Sequence, residues 1–335
     1  MRDMTSPILP IAQYAARSRD DAVLRVSSSG GVFTELARVV LAKKGVVVAA
    51  GWNRATMTVE HRCVESEAEL ADLRGSKYVT SDMSGVYGPL KRFVSEGREI
   101  LFVGTPCQVA AVRRRFGIRS NLMLCAVVCH SNVPADVWAF YCDEIQKRAR
   151  SRIVNVRFRD KKDGWDKSSF CVDFEDRTSS IRAPAYDNEY AKIFFSGYAT
   201  KSACFDCKFR AGHSGADLVI GDFWGIEDVL PALNDGKGVS VVLAYSLRGN
   251  DILSSTNLIL NEVTYQQAVA KNSFIEASPN TDLVKRARFQ RVYKSRRLQN
   301  AMRYAEYGPL SREILVRGYR FVRRVVGNVL NVICR

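Results

Sequence analysis

Ile100-Leu101-Phe102-Val103-Gly104-Thr105-Pro106-Cys107-Gln108-Val109-Ala110-Ala111-Val112-Arg113-Arg114-Arg115-Phe116 is the stretch on which the reading of this chain turns. Its apolar head, Ile100 to Val103, predicts a short buried strand. Gly104 lets the chain turn. Thr105 suits a helix N-cap, and Pro106 suits the first helical position, where its missing N–H would have no partner. Cys107 therefore falls in the first turn of a helix, where unpaired N–H groups and the macrodipole favour a thiolate. A soft anionic side chain at the end of a buried strand can hold a metal cluster or attack an electrophile. It can equally be a small buried residue filling a strand–helix joint, and this stretch alone leaves both open.

Working outward toward the C-terminus, Asn121 to Val128 reads as a second buried strand, ending at Cys129-His130-Ser131-Asn132-Val133-Pro134. An amphipathic helix is expected over Val137 to Arg150. Toward the N-terminus, Ser27-Ser28-Ser29-Gly30-Gly31 opens a run in which Val32, Phe33, Leu36, Val39, Val40 and Leu41 recur at helical spacing. A Ser/Gly turn at a helix start offers free N–H groups to an anion, or is simply a flexible cap. Gly45 stops that helix. Strands follow at Val46 to Gly51 and Thr58 to Cys63, then a short helix at Ser66 to Arg74. The loop Gly75-Ser76-Lys77-Tyr78-Val79-Thr80-Ser81 brings a cation, hydroxyls and an aromatic ring together, equipment for a phosphate and a flat ring or for a solvated loop. A helix over Gly88 to Glu96 leads back to the central strand. The alternation predicts an α/β fold, a mostly parallel mixed sheet flanked by helices, with function at the carboxyl ends of its strands.

From Arg152 the texture changes. Ile153 to Phe158 and Ser169 to Phe174 alternate like antiparallel strands around a charged turn. Tyr186 to Ser196 looks helical, Cys204-Phe205-Asp206-Cys207 is a Cys-x-x-Cys pair, and Val239 to Tyr245 is another strand. The organisation predicted is a loose N-terminal segment over residues 1–26, an α/β region over 27–150, a smaller α+β Cys-x-x-Cys region over 151–250, and a basic helical tail over 251–335.

The chain has 335 residues, 47% hydrophobic and 25% charged, which bounds it as a globular protein of one or two domains. No run of about 20 apolar residues is present, so no membrane-spanning helix is expected. The first twenty residues lack the apolar core of a secretory signal. Nine cysteines, an odd number, fit ligand or catalytic roles in a reducing compartment better than a disulfide framework. The expected location is cytoplasmic. Of the net charge of +15, +12 lies in the last 51 residues, where 14 Lys and Arg face only Glu306 and Glu313. Gly318 to Ile333 is a basic amphipathic helix by its spacing, suited to the surface of an anionic membrane, to docking on the protein itself, or to steering an acidic electron carrier. Tyr293, Tyr304 and Tyr307 interleave with Arg, but no recognised module appears and nucleic acid is not an expected partner.

Two thiolates do not complete a four-coordinate site. Cys107 and Cys129, each at the carboxyl end of a strand, are candidates to join Cys204 and Cys207. Four Cys hold zinc or a 4Fe-4S cluster, and spacing does not separate the two; a lone Cys-x-x-Cys also fits thioredoxin-like redox work. Cys63, Cys125, Cys142, Cys171 and Cys334 read as packing residues.

Six short motifs stand in an order that resembles one family: Ser29-Gly30-Gly31, Arg74-Gly75-Ser76-Lys77-Tyr78, Phe102-Val103-Gly104-Thr105-Pro106-Cys107-Gln108, Cys129-His130, Cys204-x-x-Cys207 and Gly221-Asp222-Phe223-Trp224-Gly225. The chain is similar, over about Ser27 to Tyr245, to the beta subunit of coenzyme F420-reducing hydrogenase and its relatives. Those include a plant chlorophyll reductase and many bacterial proteins associated with cell-surface polysaccharide synthesis. The resemblance implies an oxidoreductase carrying FAD beside one 4Fe-4S cluster. It implies Cys107, Cys129, Cys204 and Cys207 as cluster ligands, and Ser29, Gly30, Gly31, Ser76, Lys77, Tyr78 and Thr105 along the flavin. His130 is the candidate proton donor to substrate. The implied partners are a ferredoxin-like or F420-type electron donor and a small organic substrate, sugar- or lipid-linked, met at the inner membrane surface through the basic tail. Two features depart from the family. No Cys precedes Cys63, where many relatives carry a ferredoxin-like module, and the usual Cys-His-Gly-Val-Pro becomes Cys129-His130-Ser131-Asn132-Val133-Pro134. The rival expectation is a zinc-stapled, non-catalytic binding protein on the same fold.

Overall fold

A computed structural model describes residues 6–295 and 297–308. Its strands are β1 (Ala12–Ser18), β2 (Val46–Asn53), β3 (Thr58–Val64), β4 (Ile100–Gly104), β5 (Leu122–Val127), β6 (Ile153–Asp160), β7 (Ser169–Phe174), β8 (Ser180–Pro184), β9 (Leu218–Asp222), β10 (Ser240–Ala244) and β11 (Leu258–Glu262). Eight form one mixed sheet in the order β11-β1-β10-β9-β5-β4-β2-β3, and β6-β7-β8 form a separate sheet.

The heart of the large sheet is the parallel run β2-β4-β5-β9, with antiparallel strands completing both edges. This is the predicted mixed α/β sheet, and its centre is the quoted stretch: every residue of β4 is buried. Alternate residues feed two cores. Val48, Phe102 and Leu124 face Leu90, Phe93, Val109 and Val112 on one side. Val47, Leu101 and Cys125 face Val32, Leu36 and Val40 on the other. Fully burying such side chains stabilises by about 1.5–3 kcal/mol apiece, so the central strands fix the frame. A third, aromatic core joins the small antiparallel sheet to the helix Ala135–Ala149 around Trp138, Phe158, Phe170 and Tyr190.

Three elements differ from the sequence expectation. The segment before Ser27, read as loose, supplies β1, inserted between β10 and β11. Its Ala15 and Ala16 are wholly buried, and their small side chains give none of the large-residue alternation by which strands are recognised. Leu258–Glu262, in the region read as helical, is an edge strand. The helix expected over Ser66 to Arg74 is a single turn, Leu70–Leu73. The basic helix expected over Gly318 to Ile333 lies outside the described residues. Among the described residues, no helix is long and apolar enough to cross a membrane.

Candidate active site

Because β2, β4, β5 and β9 are parallel, their carboxyl ends meet along one edge of the sheet, and a cleft of about 390 Å³ opens there. Cys107 stands in the first turn of the helix Pro106–Phe116, as expected, and is exposed. A capping box starts that helix: the Thr105 N–H and hydroxyl both donate to Gln108 Oε1, at 2.9 and 3.0 Å. The Gln108 amide continues to Ser81 Oγ (2.8 Å), which lies 3.0 Å from His61 Nδ1, while His61 Nε2 lies 3.1 Å from the Val103 carbonyl. A carbonyl only accepts, so His61 carries its proton on Nε2 and accepts from Ser81. Burial pulls His61 down to about 4, so it is neutral and braces the turn that presents Cys107. Thr105 Oγ1 is 3.2 Å from Cys107 Sγ.

Cys129 follows β5 and lines the cleft. Burial pushes its thiol up to about 12; Arg210 opposes this, and Cys107, Cys204 and Cys207 push the same way. Burial also raises Cys204, which feels Cys107 and Cys207. The four predicted cysteines are therefore electrostatic neighbours, and all are free thiols. Backbone contacts tie their loops together: Lys201 donates to the Asn132 carbonyl at 2.9 Å, and the Cys204 N–H to the Lys201 carbonyl at 2.9 Å. The donor set suits a group that binds thiolates and cancels their mutual repulsion. Among the described residues, no three His, Cys, Asp or Glu side chains are spaced to hold a single metal ion.

Most of the residues expected along a flavin line the same cleft as Cys129. Ser29, Gly31, Ser76, Lys77, Tyr78 and Thr105 all line the cleft. Gly30 sits behind it, donating its N–H to Ser240 Oγ at 2.9 Å. A Cβ on Gly30 would lie 2.3 Å from the Ala16 carbonyl and 2.8 Å from the Ser240 nitrogen, so the Ser/Gly turn rests directly on β1 and β10. Gly31 takes φ +84° to open the helix Val32–Ala42. Gly30→Ala is expected to destabilise the protein by more than about 2 kcal/mol, because the clash is with backbone on two strands. A urea melt within about 0.5 kcal/mol of the parent would overturn this close packing.

Lys77 is not a free cation. Its ammonium donates to the carbonyls of Leu73 (3.0 Å), Arg74 (3.0 Å) and Gly75 (3.1 Å), bracing its own loop, and burial pulls it down to about 7. The Ser76 N–H donates to Ser28 Oγ at 2.7 Å, joining the two loops of this wall. The Tyr78 ring stacks on Phe194 at 4.8 Å. His130 also lines the cleft, packed edge-on to Phe274 at 4.3 Å and beside Phe194 and Phe195. Burial, then Arg210, holds its imidazole down at about 4.

Sequence reasoning missed Arg159, Tyr186, Asp222, Trp224 and Asn272, which complete the cleft. Arg159 Nη1 donates to Asp222 Oδ2 at 2.5 Å, and Asn272 Nδ2 donates to the Asp222 carbonyl at 2.9 Å. Asp222 and Trp224 belong to a motif already singled out; the signal lacking was the partner arriving from β6.

Two family models cover most of the chain, both described as parts of the coenzyme F420 hydrogenase/dehydrogenase beta subunit. The model of its N-terminal part matches residues 13–87. The model of its C-terminal part matches residues 97–264. The chain belongs to this beta subunit family. In this member of the coenzyme F420 hydrogenase/dehydrogenase beta subunit family, the N-terminal segment supplies the Ser27–Gly31 and Gly75–Tyr78 wall, while the C-terminal segment supplies the cysteines, Arg159 and Asp222. A solved structure of the F420-reducing [NiFe] hydrogenase complex from Methanosarcina barkeri contains a chain with the same fold. It has 15% identity and a TM-score of 0.53, covering 91% of this chain and 93% of that one. No curated protein matches. Membership places the chain among oxidoreductase-type electron-transfer proteins.

Proposed function

We propose that this chain is an iron–sulfur flavoprotein oxidoreductase, holding FAD in the cleft and one 4Fe-4S cluster on Cys107, Cys129, Cys204 and Cys207. It moves electrons between a ferredoxin- or F420-type donor and a small organic substrate, sugar- or lipid-linked. The observation that carries this reading is Cys129, which lines the cleft and whose thiol also feels the other three cysteines. One residue thus belongs to both the cleft and the sulfur group. A bound flavin supplies hydride and single-electron chemistry that side chains lack, and a cluster supplies one-electron transfer.

The protein's own part is binding and orientation. Ser29 and the turn that Gly31 opens present backbone N–H groups at a helix start, where a phosphate is favoured. Tyr78, Phe194 and Phe195 offer ring faces, and Lys77 stiffens the loop carrying Tyr78. Arg210 Nη2 donates to the His130 carbonyl at 2.7 Å, fixing the loop after Cys129. Anaerobically purified protein is expected to show flavin absorbance bands, a broad shoulder near roughly 400 nm, and about four irons per chain. Colourless, zinc-containing protein after anaerobic reconstitution would overturn the reading in favour of a zinc-stapled binding protein.

A further inference from the structure

Arg159 is a buried cation with half of its hydrogen-bonding edge unused. Its side chain is 1% exposed, and Nη1 is committed to Asp222. Nε and Nη2 are buried and without a partner. Those two nitrogens share one side of the guanidinium plane, the pair that meets both oxygens of a carboxylate at once. Buried donors in native proteins are nearly always paired, so an unused edge on a cleft wall calls for an acceptor.

The surroundings suit a ring-bearing anion. The guanidinium carbon lies 5.4 Å from the Trp224 ring centre and 5.8 Å from that of Tyr186. Trp224 is itself stacked on Trp165, with centres 4.9 Å apart and planes 3° from parallel. The Tyr78 and Tyr186 hydroxyls lie within electrostatic reach of each other and of Arg159. Asp222 is the carboxylate facing Arg159, and its second oxygen is taken by Trp165 Nε1 at 3.0 Å. Lys161 adds a second cation beside the pair.

We infer that this corner of the cleft is a substrate subsite for a small organic carboxylate with a flat ring, held on the Nε/Nη2 edge of Arg159 and covered by Trp224 and Tyr186. The inference rests on the proposed oxidoreductase function, whose substrate class it names.

Benzoate is the probe, and benzamide its uncharged counterpart. Titration is followed by tryptophan fluorescence, in which Trp165 and Trp224 are the two of four tryptophans that adjoin Arg159 and Asp222. Benzoate should bind saturably and at least ten-fold more tightly than benzamide. Arg159→Gln should weaken benzoate at least ten-fold while FAD content stays at the parent level. Asp222→Asn removes the competing carboxylate and should tighten benzoate several-fold; it carries the test alone if Arg159→Gln does not fold. Equal affinity for the two probes, no saturation by benzoate, an unchanged Arg159→Gln, or a weaker Asp222→Asn would overturn the assignment. So would loss of FAD from Arg159→Gln, which would give the free edge to an oxyanion of the flavin. The fluorescence titration does not need bound flavin. A chain that binds benzoate as expected but takes up no flavin would therefore sink the oxidoreductase proposal and leave the subsite standing.

Discussion

Cys129→Ala, purified anaerobically, is expected to bring bound iron from about four per chain to below about one, and to abolish the shoulder near roughly 400 nm. The same loss is expected for Cys107→Ala, Cys204→Ala and Cys207→Ala. The contrast is Cys125→Ala. Cys125 lies on β5 four residues before Cys129, wholly buried among Val47, Leu101 and Val103. Burial drives its thiol far above the ordinary range, as befits a neutral packing residue. Its replacement should cost about 1 kcal/mol of stability and no iron. Cys129 is only half-buried, at the cleft, and feels the three other thiols and Arg210. Empty, Cys129 and Cys204 are pushed toward the protonated form by burial. A bound cluster would hold all four as thiolates, so assembly should release protons. Iron content independent of Cys129, or lost equally with Cys125, would refute the ligand assignment.

Much of this site was legible because its residue types have few other uses in these places. A glycine, then Thr-Pro-Cys, after four apolar residues leaves little freedom, and Ile100–Gly104 with Pro106–Phe116 took the predicted form. Charged residues on alternating strands were less informative. Arg157 and Arg159 share one parity on β6, so alternation alone does not tell them apart. The register with β7 shifts between Arg157 and Asp160. Arg157 remains 39% exposed and pairs with Asp173, whereas Arg159 is carried into the cleft. A bulge decides between those outcomes, and a bulge has no residue signature here. His61 was invisible for a related reason: a lone histidine in a strand acquires meaning only from Ser81 and Gln108, which are distant in sequence. Lys77 adds what its sequence does not carry: a loop lysine equipped for phosphate donates to three carbonyls of its own loop.

Asp217→Ala is expected to destabilise the fold by about 3–5 kcal/mol, because it removes a buried carboxylate on which two half-buried arginines, a backbone N–H and a hydroxyl converge. Asp217 precedes β9, and its side chain is only 5% exposed. Arg248 Nη2 donates to Oδ2 at 2.6 Å and Arg248 Nε to Oδ1 at 2.9 Å, a two-pronged contact. The Leu124 N–H (2.9 Å) and the Ser246 hydroxyl (2.8 Å) also donate to the carboxylate, and Arg113 Nη2 approaches at 3.4 Å. Leu124 is on β5 and Arg113 on the helix whose first turn carries Cys107, so one carboxylate pins both elements that deliver Cys107 and Cys129. Burial alone would raise the Asp217 pKa; Arg248 and the Leu124 N–H outweigh it, and the net shift is downward. A carboxylate lowered on folding stabilises fully above its unfolded value of about 3.9, and that stability disappears as pH falls through the folded value. The gap between parent and Asp217→Ala should therefore stay constant from pH 7 to about 5 and close progressively below about 4. In a thermal melt at pH 7 the variant should lose roughly 4–7 °C. A loss under about 2 °C, or a gap that widens in acid, would mean that the carboxylate is not what fastens β5 and the Cys107 helix to the sheet.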